Sequence, residues 1–263
     1  MNNRKRSFIV LAISFFLFSF FMSLMLNINH WENKLKESYF LTVELKGNVN
    51  EERANILENK LLKENEVRGV RYMTKDESFR NLQRELGIVI PKSDNALPNS
   101  LIIYFNNTND IDKIQNFLEP EDSIKEIFVD SDFITMVESR IEVLKAINYI
   151  VLGITGAIGI MIYFAFKGFV DGEFYRLTLL NPNSNRNHIR AQNVNVLPFT
   201  GASLVGTLVF LNLYSFLREI ILNYVPRLYL LTGNELLSTT FLILIGYNLF
   251  IWFTPMVLNR REK

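Results

Sequence analysis

SFIVLAISFFLFSFFMSLML, residues 7–26, runs for 20 positions without a charged side chain. At about 1.5 Å per residue, a helix of that length crosses the roughly 30 Å hydrocarbon core of a bilayer. Three further uncharged apolar runs follow at 147–166, 194–217 and 237–258. Their spacing is uneven: 120 residues (27–146) separate the first two runs, whereas the later connections hold 27 (167–193) and 19 (218–236). The reading is a membrane protein with four transmembrane helices and one sizeable domain, 27–146, held out on a single side.

Lys and Arg near the spans set orientation. Segments 1–6, 167–193 and 259–263 share one face and carry ten basic residues against three acids, among them Arg4, Lys5, Arg6, Lys167 and Arg176. The short opposite loop, 218–236, has Arg218 and Arg227 balanced by Glu219 and Glu235. Both termini are therefore expected in the cytoplasm and the large domain outside. The charge of +1 for the chain divides into +7 on the cytoplasmic face, −6 in 27–146 and zero in the short loop. An acidic exterior gives no reason to expect nucleic-acid binding there. The run 7–26 is longer than a signal-peptide core, and Asn27-Ile28-Asn29 offers no small-x-small cleavage site, so it is read as an uncleaved anchor. Without cysteine, the outer domain has to fold without disulfides.

Within that domain Leu41-Thr42-Val43-Glu44-Leu45 alternates as a half-buried strand does. Ala54, Leu57 and Leu61 recur at helical spacing after Asn50, with Ile56 at the flank, and 67–73 is a second strand. Thr74-Lys75-Asp76-Glu77 has the pattern of a capping box and starts a helix with Phe79, Leu82 and Leu86 on one stripe, ending near Gly87. A turn-rich stretch, 91–98, leads to the strand 101–105, a helix over 110–118 and a strand over 124–129. This order predicts an extracytoplasmic α+β domain of ferredoxin-like split βαβ type, with a helical insertion lobe at about 74–99. Asp130 or Ser131 then caps a helix with Phe133, Val137, Ile141 and Leu144, and nothing breaks it before the second span.

Several segments carry a family resemblance. Val70-Arg71-Tyr72-Met73-Thr74-Lys75-Asp76-Glu77-Ser78-Phe79 is similar to a V-x-Y-V-S-K-E-E-A pattern, and Asn95-Ala96-Leu97-Pro98-Asn99-Ser100 to N-P-L-P-A-S. With the strand 41–45, Ile127-Phe128-Val129 and the four-span order, the chain resembles the FtsX family of bacterial cell-division membrane proteins. The resemblance implies a non-enzymatic, permease-like partner of a separate cytosolic ATPase, FtsE, which binds the ATP. It implies that the outer domain recruits and activates peptidoglycan hydrolases, directly or through an adaptor, with the insertion as the contacting lobe. It further implies a homodimer in the inner membrane at the division site.

After the second span the family carries a basic run and E-I-x-x-x-x-x-x-G-A. Here Glu173-Phe174-Tyr175-Arg176-Leu177-Thr178-Leu179-Leu180-Asn181-Pro182 keeps the Glu but has Asn-Pro in place of Gly-Ala. Glu173, Phe174, Tyr175, Arg176, Leu177 and Leu180 are the positions onto which the resemblance places ATPase coupling. The family's cytoplasmic N-terminal segment is also longer than residues 1–6.

No G-x-x-x-x-G-K-[ST] phosphate loop occurs, and the two histidines, His30 and His188, are assigned to opposite faces. No residue is assigned a catalytic, metal or cofactor role. Carboxylates such as Asp110, Asp112, Glu119, Glu121 and Asp122 sit at helix ends and turns, where solvated acids are the norm. Phe79, Leu82, Leu86, Ile88, Val89 and Ile90 are an apolar surplus for so short a lobe and are read as the outer partner-binding residues. Gly153, Gly156, Ala157, Gly159, Ala202 and Gly206 allow close helix packing, within a protomer or between copies. Asn195, Asn212 and Asn248 are expected to bond between helices, and no ionisable residue lies inside a span. The rival reading is the permease of an exporter resembling the macrolide and lipoprotein exporters, which carry a larger outer domain.

Overall fold

The computed structural model describes residues 3–87, 89–91, 93, 95–182, 186–225 and 228–254. The chain divides into two compact units, Met1–Trp31 with Leu144–Lys263, and Glu32–Val143.

The second unit is built on four strands: β1 (Phe40–Leu45), β2 (Val67–Met73), β3 (Ser100–Phe105) and β4 (Ile124–Phe128). Their order is β2-β3-β1-β4, and each neighbouring pair is antiparallel. That is the arrangement of a ferredoxin-like sandwich, in which β1 and β3 are central and each βαβ half supplies one edge. The alternation in β1 decides which face is covered: Leu41, Val43 and Leu45 are buried, and Leu101, Ile103 and Phe105 of β3 join them. Against this face pack Ala54, Leu57 and Leu61 of α2 (Glu51–Leu61) and Ile114 and Leu118 of α4 (Ile111–Leu118). Asn50 caps α2 by accepting from the Arg53 N–H at 3.0 Å. Ile134, Val137 and Ile141 complete the core from the start of α5 (Ser131–Leu180), which Asp130 caps at the Phe133 N–H. Phe133 stands at the edge of that cluster and meets Phe40 with its ring tilted by 50° and ring centres 5.7 Å apart.

Between β2 and β3 lies the insertion, with α3 at Lys75–Leu86. Thr74 caps it by accepting from the Glu77 N–H at 3.3 Å, and Gly87 closes it in the left-handed region at φ 65°. No Cβ opposes that conformation in glycine. Half of the expected capping box is realised: the Glu77 carboxylate pairs with Arg71 of β2 and so ties the lobe to the sheet. The full reciprocal box appears instead at Thr232 and Glu235, opening the helix Gly233–Phe253.

The first unit holds four helices long and apolar enough to cross a membrane: α1 (Asn3–Lys36), α5, α6 (Asn187–Tyr224) and α7 (Gly233–Phe253), with the ends of α1 and α5 belonging to the other unit. α5 is one helix of 50 residues. Phe199 of α6 is fully buried at the centre, with ring centres 5.2 Å from Phe15 of α1, 4.6 Å from Phe166 of α5 and 6.3 Å from Tyr247 of α7. Rings offset or edge-on in this way gain beyond their buried area, which matters in lipid, where apolar burial alone does not favour association.

Candidate functional site

The insertion lobe is laced by amide side chains rather than by a core of its own. Asn99 accepts from the Lys75 N–H at 2.9 Å, adding a second cap to the start of α3. Asn95 donates to the Lys75 carbonyl and to Asp76, both at 3.2 Å, and accepts from the Leu97 N–H at 3.1 Å. Gln83 donates to the Ile90 carbonyl at 2.5 Å. Ile90, Asn95 and Asn99 of the returning chain are thus tied to α3, and the apolar stripe is divided. Phe79 is buried, at 5 % exposure, whereas Leu82, Leu86 and Val89 are 37 %, 58 % and 96 % exposed. Ile90 is half-buried, and Ile88 lies outside the described residues. Three large apolar side chains on a soluble surface form a place for a partner to bury.

Three carboxylates of the sheet domain are held in ion pairs. Glu66 meets Lys113 at 3.0 Å, Glu121 meets Lys60 at 2.6 Å and Glu44 meets Lys125 at 3.0 Å. The hydrogen bond from Lys113 holds the Glu66 carboxyl below its ordinary value, and the same bond raises Lys113. Among the described residues, no group of three or more His, Asp or Glu is placed to hold a metal ion.

At its far end α5 runs to Leu180. Phe174 and Leu177 turn inward onto the helical core, and Tyr175, Leu179 and Leu180 stand exposed. Glu173 and Arg176 form a two-bond pair at 3.0 and 2.5 Å, one turn apart. Asn181 and Pro182 end the helix, and Asn187 donates to the Asn181 carbonyl at 2.9 Å, closing the turn into α6. The six expected coupling positions therefore split into an inward pair, a salt-bridged pair and the exposed Tyr175 and Leu180. Leu179, which the sequence reading passed over, joins the exposed set beside Leu180.

The small residues of the spans also have different surroundings. A Cβ on Gly206 would lie 2.3 Å from the Ala12 carbonyl oxygen and 3.0 Å from the Phe15 Cβ, so α6 and α1 touch backbone to backbone there. Ala202 is buried one turn earlier, and Ser19 and Thr207 share a hydrogen bond at 3.0 Å across the same seam. Gly159 approaches Phe18, and its carbonyl accepts from Tyr247 at 2.7 Å. Gly153, Gly156 and Ala157 are exposed, with open space where a Cβ on either glycine would go. The intramembrane asparagines correct the expectation of interhelical bonds. Asn195 and Asn212 donate to carbonyls four residues back on their own helix, and Asn248 alone of the three reaches another helix, at Ser203, 3.1 Å away. A short amide can satisfy its NH2 on the preceding turn without any partner helix.

One polar cluster had no local signal. Asn27 of α1 accepts from the Leu231 N–H at 2.9 Å and from the Tyr214 hydroxyl at 3.2 Å, while its own NH2 donates to the Ser23 carbonyl at 2.8 Å. The single Tyr214 O–H is shared between Asn27 and the nearer Leu231 carbonyl at 2.9 Å, and Trp31 donates to the Tyr229 carbonyl. The loop between α6 and α7 is thereby clasped onto the end of the first span. Gln192 does the same at the opposite end of the helices, donating to the Thr254 carbonyl at 3.0 Å.

These features define the class: a protein with four helices long and apolar enough to cross a membrane and a ferredoxin-like sheet domain with an inserted lobe. Residues 39–140 match the family model of the FtsX extracellular domain, so the outer domain is an FtsX extracellular domain and the family resemblance holds. Among solved structures, the crystal structure of extracellular domain 1 of FtsX from S. pneumoniae, in complex with undecyl-maltoside, is similar at 17 % identity and a TM-score of 0.30. It covers 34 % of this chain and 92 % of its own. No curated protein matched the chain. The chain thus joins an FtsX extracellular domain to four helices long and apolar enough to cross a membrane.

Proposed function

We propose that this chain is a non-enzymatic transmembrane coupler: a cytosolic FtsE-like ATPase acts on its cytoplasmic side, and the outer lobe binds and switches a peptidoglycan hydrolase or its adaptor. The observation that carries the reading is the exposed Leu82, Leu86 and Val89 on the inserted lobe of an FtsX extracellular domain. Buried in a partner's groove, such side chains supply affinity; left in water, they gain the chain nothing. On the other face Tyr175, Leu179 and Leu180 present a second apolar surface beside the Glu173–Arg176 pair, suited to a protein that holds the ATP. The reading places the chain at the division site with a second copy of itself. An exporter permease would need a larger outer domain; this one is a single four-stranded sandwich with a short lobe.

The test separates docking from folding. Leu86→Ser and Val89→Ser alter exposed positions, so the melting temperature stays at the parental value, while capture of the division hydrolase or its adaptor weakens. An anchor worth about 2 kcal/mol corresponds to roughly 30-fold. Phe79→Ala is the folding control: a buried Phe loses about 3–5 kcal/mol on truncation, so it melts early. Stable Leu86 and Val89 variants that capture the partner at full strength would return the lobe to a purely structural role.

A further inference from the structure

We propose that a groove between α1 and α6, headed by Lys5, binds an acyl chain of an anionic phospholipid, with the lipid phosphate against the Lys5 ammonium. The groove has a volume of about 520 Å3 and is lined by Lys5, Phe8, Ile9, Leu197, Pro198 and Gly201. Its shape follows from the sequence. Lys5, Phe8 and Ile9 are three and four residues apart, so they share one face of α1 at its first turns. On α6 the facing positions are a proline, with a compact ring, and a glycine, with no side chain, so the helix surface is hollowed between Leu197 and the next turn. At Gly201 a Cβ would already stand 3.4 Å from the Phe8 ring, which shows how shallow the floor is.

The chemistry of the lining points to the ligand. Five of its six residues are apolar, and the one charge is a cation at the end of the first span. Among the described residues no acid pairs with Lys5, and the chain has no acid before Glu32. An ammonium at the membrane interface above an apolar trough complements a lipid phosphate above its acyl chain. A second groove of about 410 Å3 lies across Leu197, lined by Asn193, Val196, Leu197, Thr200 and Trp252. Leu197, 81 % exposed, is the ridge common to both, so a two-chain lipid can straddle it with one chain on either side. The indole of Trp252 is held by donating to Thr200 at 3.2 Å, which fixes the far wall.

The experiment uses the full chain in nanodiscs of equal phosphatidylglycerol and phosphatidylcholine, with the lipids retained by the released protein counted by native mass spectrometry. The parental chain retains phosphatidylglycerol in excess. Lys5→Gln reduces that excess about fivefold, which is the loss of about 1 kcal/mol expected for one interfacial cation. Arg6→Gln, which removes a neighbouring charge that does not line the groove, leaves the excess unchanged. Filling the trough with Gly201→Leu abolishes retention, and Ile9→Trp, at a position 47 % exposed with room for a larger ring, serves if the glycine variant fails to fold. Equal retention of both lipids by the parental chain overturns the site. So does an Arg6→Gln loss matching that of Lys5→Gln, which marks a diffuse basic rim, or undiminished retention in the filled, folded variant.

Discussion

At Gly206 a methyl group would meet the Ala12 carbonyl oxygen and the Phe15 Cβ of α1, whereas at Gly153 it would meet nothing within 4 Å. The two glycines look alike as letters in apolar runs, and only the contact made by the other helix separates them. Gly206→Ala is expected to force α6 from α1, at about 1–3 kcal/mol for overpacking, and to lower the melting temperature in detergent. Gly153→Ala is expected to leave it within the scatter, about 0.5 kcal/mol, of a surface change. Equal melting of the two variants would contradict the backbone contact. The same limit on legibility applies to the asparagines. Their residue type announces a buried hydrogen bond in lipid, but a lone amide at position 195 or 212 gives no sign that it will bond its own helix while position 248 crosses to Ser203.

Among elements, those whose partners lie close in sequence were readable. The alternation of β1, the apolar spacing of α2, the N-cap at Thr74 and the cap expected at Asp130 or Ser131, which Asp130 supplies, all act within a few residues and are seen in the structure, whereas the reciprocal bond from Glu77 is not. The clasp on the loop between α6 and α7 was not readable, because Asn27 and Leu231 stand 204 residues apart. Replacing Asn27 by leucine, nearly its shape, leaves the Leu231 N–H without its acceptor. The expected cost is about 1–3 kcal/mol for a group left unmade. A cysteine placed at Tyr229 should then be labelled faster than in the parental background; an unchanged rate would mean the loop does not depend on Asn27. In the sheet domain, the Glu66–Lys113 bond predicts a pH dependence. Because Glu66 is depressed from about 4.5, the stability it contributes is present above that value and lost as the pH falls through the lower, folded one. The difference in melting temperature between the parental chain and Lys113→Met, small because the pair is exposed, should close on acidification below about 4.5. A difference that persists there would assign it to packing of the lysine stem.

Over the whole molecule, the uneven spacing of four uncharged runs conveyed most of the architecture, since hydrocarbon thickness leaves few alternatives for a run of twenty apolar residues. The candidate site was legible to a lesser degree. The sequence located the apolar lobe but not the burial of Phe79 apart from Leu86 and Val89, which goes with the bonds of Gln83, Asn95 and Asn99 that tie the returning chain to α3. It likewise marked the end of α5 without showing that Leu179 faces out beside Tyr175. If these two surfaces are the ends of one coupler, each is silent without the other. The most direct measurement places the chain in proteoliposomes with its cytosolic ATPase inside and the division hydrolase outside, and compares peptidoglycan cleavage with ATP enclosed in the lumen and with ATP omitted. The account predicts ATP-dependent cleavage by the parental chain, lost in Leu86→Ser/Val89→Ser and equally lost in Tyr175→Ala/Leu179→Ala, with both variants folded. Cleavage indifferent to ATP, or unaffected by either pair of substitutions, would contradict it.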